Sequence, residues 1–441
     1  MSLRLPHPLV LLLGGVLIAA VMTWVLPAGS YERAQDPVTG REVVVAGTYR
    51  AVDPAPVGPF AAVLAVPRGI AAAIEVVLVV LLVGGAWVVV EQVGTLGRAV
   101  GALVSRLRGR ATWAVPVVSL VFGVMGGLEN MREEIIPLIP VLLILGRGLG
   151  FDPITVVAMS AGAAVVGSAF GPTNPFQAGI ALQLADLPLL SGGALRAVLF
   201  VAGLLIWVLW TVRYARRNRT PMEPRQDAGV GLGKRDLIVL GLIMVPFVLY
   251  VYGALGLGWG FNELSAMFLV AGVAIGMLCG LGATGTTTAY LEGMKAMLPA
   301  AVLIGVARAI SLVLADGRVI DTLLHGMASP LMETPRLVSA LLMVPFHAVV
   351  HVAVPSVSGQ ALLTMPIMAP LADLLGFSRQ VAILAYQTGA GLTDAINPTN
   401  GALMAILLAA GVPYGRWLRF VLPGIGLVAL VGIAGMMVAM G

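Results

Sequence analysis

The triplet Pro-Thr-Asn interrupts a long apolar stretch twice, at Pro172-Thr173-Asn174 and at Pro398-Thr399-Asn400. Proline lacks the amide a helix needs and clashes with the turn before it, so each triplet forces a break in a helix-length apolar run. One constant offset also superposes Pro140 on Pro366, Gly150-Phe151 on Gly376-Phe377, Ala169 on Ala395 and Ile180 on Ile406. A whole segment is therefore duplicated. The chain reads as two halves meeting at paired helix breaks.

Apolar residues make up 59% of the sequence and charged residues 11%, and mean hydropathy is +0.99. No water-soluble domain of this length sustains that balance. Strand spans of alternating residues would give a far weaker signal, so the expected class is an all-α polytopic membrane protein. A first apolar segment, roughly His7 to Val25, is too long for a signal-peptide core and lacks a small-residue cleavage site, so it reads as a retained span. The net charge of +5 is no nucleic-acid footprint, because the basic residues sit in short connections. Arg213, Arg216, Arg217, Arg219, Arg225, Lys234 and Arg235 mark a cytoplasmic linker, and Arg98, Arg106, Arg108 and Arg110 a second cytoplasmic surface. A cytoplasmic N-terminus in an inner membrane follows from that count. The single cysteine, Cys279, excludes an intrachain disulfide and reads as core packing.

The expected organisation is a first span with an extracytoplasmic loop (1–68), a first repeat (69–213), a basic linker (214–235), linking spans (236–296) and a second repeat (297–441). Spans fall near 69–93, 193–213, 236–257, 262–281, 297–316 and 417–440. Each repeat holds two shorter apolar arms around a polar tip, then a broken helix: hairpin about 112–149 with helix about 153–186, and hairpin about 336–376 with helix about 379–411. The tips are Gly126 to Glu134 and Pro355 to Gln360. Irregular backbone at membrane depth is tolerated only when buried in protein or lining water, so these are re-entrant hairpins. Gly97 to Arg110 and Arg318 to Met332 suit the interface. Nine complete crossings make the repeats inverted, with both breaks near the midplane, a design of secondary transporters.

Candidate chemistry gathers at four places. At the first break, Asn174-Pro175 fits the cap and first turn of the following half-helix, with Thr173 beside it. Amides at a helix start favour an anion, and carbonyls released before a break can coordinate a cation such as Na+ near Asn174 and Asn400. The second break, Asp394-Ala395-Ile396-Asn397-Pro398-Thr399-Asn400, adds a carboxylate and an amide. The first tip carries Glu129, Asn130, Arg132, Glu133 and Glu134, and a charge at mid-bilayer costs at least about 2.5 kcal/mol unless paired or solvated. Arg132 can neutralise one carboxylate, leaving the others for a proton, a metal ion or an ammonium group. The second tip offers Ser356, Ser358, Gly359 and Gln360, a set without charge that suits a polar solute.

His347 and His351 stand four residues apart, like half of a zinc-peptidase helix, but Ala348 occupies the general-base position and removes the hydrolytic mechanism. A hydrogen-bonded pair or a proton-sensing step remains. Arg308, Asp316, Glu75 and Asp236 lie in or at the ends of apolar spans, and Glu75 and Arg308 fall near matching repeat positions where they can pair. No Gly-x-x-x-x-Gly-Lys-Ser/Thr loop exists, which argues against a built-in ATPase.

Met131-Arg132-Glu133-Glu134-Ile135-Ile136-Pro137 and Asn174-Pro175-Phe176-Gln177-Ala178-Gly179-Ile180-Ala181 resemble segments of the C4-dicarboxylate anaerobic carrier family, the YfcC- and DcuC-like carriers. The second half resembles it more closely, through the run Pro355-Ser356-Val357-Ser358-Gly359-Gln360-Ala361 to Ala372 and through Pro398-Thr399-Asn400-Gly401-Ala402-Leu403-Met404. The resemblance covers nearly the whole chain. It implies the ion transporter superfamily fold: a scaffold domain, a mobile transport domain built from two hairpins and two broken helices, an elevator movement, and a homodimer. Carried over by position, it makes Thr173, Asn174, Ser356, Ser358, Thr399 and Asn400 substrate and ion candidates. Arg132 departs from the family's usual pattern by placing a cation beside the acidic pair.

The expected function is secondary active transport of small carboxylate-bearing metabolites such as C4-dicarboxylates, coupled to Na+ or H+, with no cofactor and no enzymatic step. Thr173, Asn174, Ser356, Ser358, Gly359, Gln360, Thr399 and Asn400 would contact solute, and Glu133, Glu134, Asp394 and Asn397 would meet a cation or an amino group. The rival within transport is a basic amino acid carrier or antiporter; a passive channel is the rival of another class.

Overall fold

The computed structural model describes residues 7–36, 42–106, 110–172, 174–188, 190–220, 232–257 and 259–440. Among these residues, nine helices are long and apolar enough to cross a membrane, which makes the chain a multi-pass helical membrane protein. The first helix is α1 (Pro8–Val25), followed by a polar loop, then α2 (Pro59–Ala72), α3 (Ile74–Gln92) and α4 (Thr95–Arg106). The loop is not helical: β1 (Gly29–Ser30) pairs with β4 (Arg50–Ala51), and β2 (Arg33–Gln35) with β3 (Glu42–Val44), both antiparallel. It is fastened to the rest of the chain through Asp321, which accepts hydrogen bonds from the Tyr31 amide and from Arg33, and through the stacked rings of Tyr49 and His325. Burial against these groups raises the Tyr31 phenol to about 12.

Next come α5 (Ala114–Glu129) and α6 (Ile139–Leu149), joined by Asn130–Arg132 and a 3-10 stretch, Glu133–Leu138. Asn130 ends α5 in the left-handed region at φ 60°, a conformation that asparagine tolerates better than most residues. α7 (Pro153–Val157) and α8 (Ala163–Phe170) flank a π-helical turn, Ala158–Gly162; beyond the first break a second π turn, Pro175–Gly179, leads into α9 (Ile180–Leu184). Three long helices follow: α10 (Gly193–Arg217), α11 (Lys234–Gly256) and α12 (Phe261–Leu278). The second half runs α13 (Gly282–Asp316), α14 (Ile320–Ala328), α15 (Arg336–Ala353), α16 (Val357–Leu374) and α17 (Arg379–Tyr386), then a π turn, Gln387–Gly391, the second break, α18 (Gly401–Ala409) and α19 (Tyr414–Met440).

Glycine sets the closest approaches. A Cβ on Gly167 would overlap the carbonyl of Gly123, and one on Gly171 the carbonyl of Gly127, so α5 and α8 touch backbone to backbone. In the same way Gly293 of α13 lies against Gly84 and Gly85 of α3, and Gly69 of α2 against Gly305. Without a hydrophobic force between helices in lipid, such small-residue contacts supply the dispersion energy that holds them together. α13 packs along α1, α2 and α3 on one side and meets α18 on the other.

Several boundaries differ from expectation. The span placed near 69–93 is two helices, α2 and α3, parted at Ala73. The span placed near 297–316 begins at Gly282, because Thr286 and Thr287 return their hydroxyls to carbonyls four residues back and so remain compatible with a helix. The first arms are not short: Ala111–Glu129 and Arg336–Ala353 each have span length. α10 extends past the end expected near 213, carrying Arg216 and Arg217 in its last turn. The second tip is narrower than Pro355 to Gln360: helix α16 starts at Val357, capped by Ser356 Oγ accepting from the Gly359 amide at 3.2 Å.

Candidate functional site

Two networks pin the tips to the broken helices. Asn130 at the first tip accepts from Ser168 Oγ and from Arg132 Nη2 at 2.9 Å. Asn174 donates to the Ser168 carbonyl at 3.2 Å, while its own Oδ1 accepts from the amides of Phe176 at 3.0 Å and Gln177 at 3.1 Å. Asn174 is thus a buried helix cap, 0% exposed, with proline at the first helical position. Thr173 lies outside the described residues.

The second network centres on Asp394, which is 2% exposed. It forms an ion pair with Arg132, accepts from Asn400 Nδ2, and contacts His351 Nε2 at 2.8 Å. The other ring nitrogen of His351 faces Gln360 Oε1 at 2.7 Å, and Gln360 Nε2 donates to the His347 carbonyl at 2.9 Å. The two histidines therefore meet through Gln360, not directly. Asn397 donates to the His351 carbonyl at 3.0 Å and accepts from the Thr399 amide at 3.0 Å. Asn400 caps α18, its Oδ1 accepting from the Leu403 amide at 3.0 Å. Asn174 Oδ1 already accepts two helix amides, whereas Asn400 Oδ1 accepts a single one.

Carbonyls freed at the breaks also have partners. Ala169 O accepts from Gln387 at 3.0 Å, and Ala395 O at the second break accepts from Trp417 Nε1 at 2.8 Å. Trp207 Nε1 reaches Ala158 O in the first π turn at 2.9 Å. The breaks are held open by side chains, which lets irregular backbone persist inside an apolar protein.

A cavity of about 420 Å³ brings the elements together. Glu129, Arg132, Glu133 and Glu134 from the first tip face Ser356 and Ser358 from the second, with Thr399 and Asn400 at the second break. Tyr250, Trp259 and Phe261, from the facing ends of α11 and α12, supply an aromatic wall, and Arg308 projects from α13. Of the residues assigned from sequence to solute or cation contact, six line this space: Ser356, Ser358, Thr399, Asn400, Glu133 and Glu134. Asn174, Gly359, Gln360, Asp394 and Asn397 do not line it; they stand behind it, Gln360 and Asp394 in the network that holds Arg132.

Arg308 forms no hydrogen bond or ion pair with any described residue. The pairing of Glu75 with Arg308 is not present: Glu75 accepts from Asn262 at 3.0 Å. Asp316 pairs with Arg68 at 2.6 Å, and Asp236 with Arg98 at 2.7 Å. Arg132 neutralises Asp394 and not a glutamate of its own tip, although its backbone amide donates to Glu134 at 3.0 Å. The aromatic wall carried no local signal, and Arg308 stood out in sequence only as a charge in an apolar span, because these residues lie outside the tip and break segments.

A family model described as "C4-dicarboxylate anaerobic carrier" matches residues 5–441. The putative basic amino acid antiporter YfcC of Escherichia coli is 32% identical over 372 residues, covering 79% of this chain and 74% of that protein. An uncharacterized protein of Haemophilus influenzae is 26% identical, covering 98% of this chain and 96% of its own. The YdaH transporter of Alcanivorax borkumensis, a solved structure, aligns at a TM-score of 0.45 with 18% identity, over 99% of this chain and 98% of that one. The chain belongs to the C4-dicarboxylate anaerobic carrier family and is a membrane transporter.

Proposed function

We propose that the protein is a secondary active transporter of small carboxylate-bearing metabolites, such as C4-dicarboxylates, coupled to a Na+ or H+ gradient. The observation that carries this reading is Arg308, a cation without an ion-pair partner among the described residues, facing the same 420 Å³ cavity as Ser356, Ser358, Thr399 and Asn400. Arg308 is exposed to this cavity with its guanidinium donors unused by described residues, and a solute carboxylate supplies a charge-assisted partner for them. Hydroxyls from the second tip and the second break then orient it.

The two tips with their breaks, 112–186 and 336–411, would form the mobile transport domain. α13 with α1, α2 and α3 would form the scaffold, so that Arg308 meets the solute from the fixed side. Inverted repeats and an elevator movement are the mechanism this division supports, in an inner membrane with a cytoplasmic N-terminus and as a homodimer.

A specific observation favours a second reading. Glu129, Glu133 and Glu134 put three carboxylates on the tip wall of the cavity, while the nearby Arg132 is committed to Asp394. A basic amino acid fits that wall, its carboxylate on Arg308 and its ammonium or side-chain cation on the glutamates, and the relative from Escherichia coli carries such a name. Counterflow separates the two. Accumulation of labelled succinate against its own unlabelled pool selects the dicarboxylate, and accumulation of labelled arginine the amino acid. Either outcome should be reduced about 10- to 100-fold in kcat/KM by Arg308→Met, the range of one charge-assisted contact. Full transport in that variant removes the reading.

A further inference from the structure

His351 is 0% exposed and yet has an oxygen acceptor on each ring nitrogen: Asp394 Oδ1 at 2.8 Å from Nε2 and Gln360 Oε1 at 2.7 Å from Nδ1. The orientation of the Gln360 amide is not free. Its Nε2 donates to the main-chain carbonyl of His347 at 2.9 Å, and turning the amide over would set oxygen against oxygen there. Asp394 can in principle carry the hydrogen on the other side, but it is already the ion-pair partner of Arg132 and the acceptor of Asn400. An imidazole between two acceptors must donate from both nitrogens.

We infer that His351 holds a bound proton, as an imidazolium shared with Asp394, and that this proton is the coupling ion of the transporter. The inference rests on the transport reading above for its second half only. The groups facing His351 are Asp394 from the second break, Gln360 from α16 and His347 from its own helix, with Arg132 from the first tip beyond Asp394 and Tyr386 of α17 beyond His347. His347 is no rival for the proton, since its Nε2 has no partner and its Nδ1 faces the Gln360 amide nitrogen. One carboxylate thus serves two cations. Arg132 lines the solute cavity and His351 does not, so a solute carboxylate that draws on Arg132 changes the share of Asp394 left to His351. Solute binding and proton occupancy are thereby linked through a single side chain.

The chain has four histidines, which makes the protonation state directly readable. Full-length protein labelled with 15N-histidine in nanodiscs should show one ring with protons on both nitrogens at pH 8, a signal absent from His351→Gln. Four neutral rings at pH 8 would overturn the inference, and that wild-type spectrum decides it even if the variant does not fold. In proteoliposomes containing a trapped pH dye, solute entry into wild-type vesicles should move protons across the membrane, and solute entry without proton movement would overturn the coupling role. Absence of counterflow for both succinate and arginine would remove the coupling role together with the transport reading, while the spectrum still decides the bound proton.

Discussion

At the scale of single residues, the chain places its membrane-embedded charges in three distinct situations. Asp394 is enclosed and divided between Arg132 and His351, Glu133 and Glu134 border the cavity, and Arg308 stands without a described partner. Removing one member of a buried pair leaves its partner charged and desolvated, which costs about 3–5 kcal/mol. Asp394→Ala should accordingly lower thermal stability far more than Arg308→Met, although both impair uptake; equal stability of the two variants in a melting assay would contradict the network described here. Asn174 was legible as a helix cap because asparagine just before proline in an apolar run has few other uses, while Asn400, followed by glycine, was flagged only by its place in the second Pro-Thr-Asn. Their attachments were not, since Ser168 and Asp394 are joined to them only by the folding of the break. The pairing of Arg132 was illegible for the same reason: its partner, Asp394, lies in the other half of the chain.

At the scale of elements, the breaks depend on close helix contacts as much as on proline. α5 meets α8 and the residue after it closely: a Cβ on Gly167 or Gly171 would run into the backbone of Gly123 or Gly127, which cannot move aside. Gly167→Val should therefore cost more than the usual overpacking range of about 1–3 kcal/mol and yield little folded protein. Gly241→Val, on α11, adds a side chain where no heavy atom lies within 4 Å and should behave like wild type. Comparable yields by size-exclusion chromatography would refute the backbone-to-backbone contact. Apolar length predicted α1, α10, α12 and α19 within a few residues of their ends. It failed on α13, where the threonine-rich start and the charges Glu292 and Lys295 resemble a loop by composition, and the helix persists because those residues need no burial.

At the scale of the whole molecule, the cavity is assembled from both halves of the chain and from the helices between them, which is why no single stretch of sequence outlines it. Alternating access predicts that a cysteine at position 358, introduced as Ser358→Cys in a Cys279→Ser background, reacts with a membrane-impermeant maleimide from both sides of the membrane. The side favoured should change when solute is added. Labelling from one side only, whatever the solute, would contradict a moving transport domain.

The central claim is that this cavity carries a carboxylate-bearing solute by exchange-competent transport, and counterflow in proteoliposomes tests it most directly. Labelled succinate and labelled arginine are each offered against an excess of the same unlabelled compound inside. The account predicts transient accumulation of at least one of them by the wild type and a loss of about 10- to 100-fold in Arg308→Met. No accumulation of either compound, or undiminished accumulation in the variant, would contradict it.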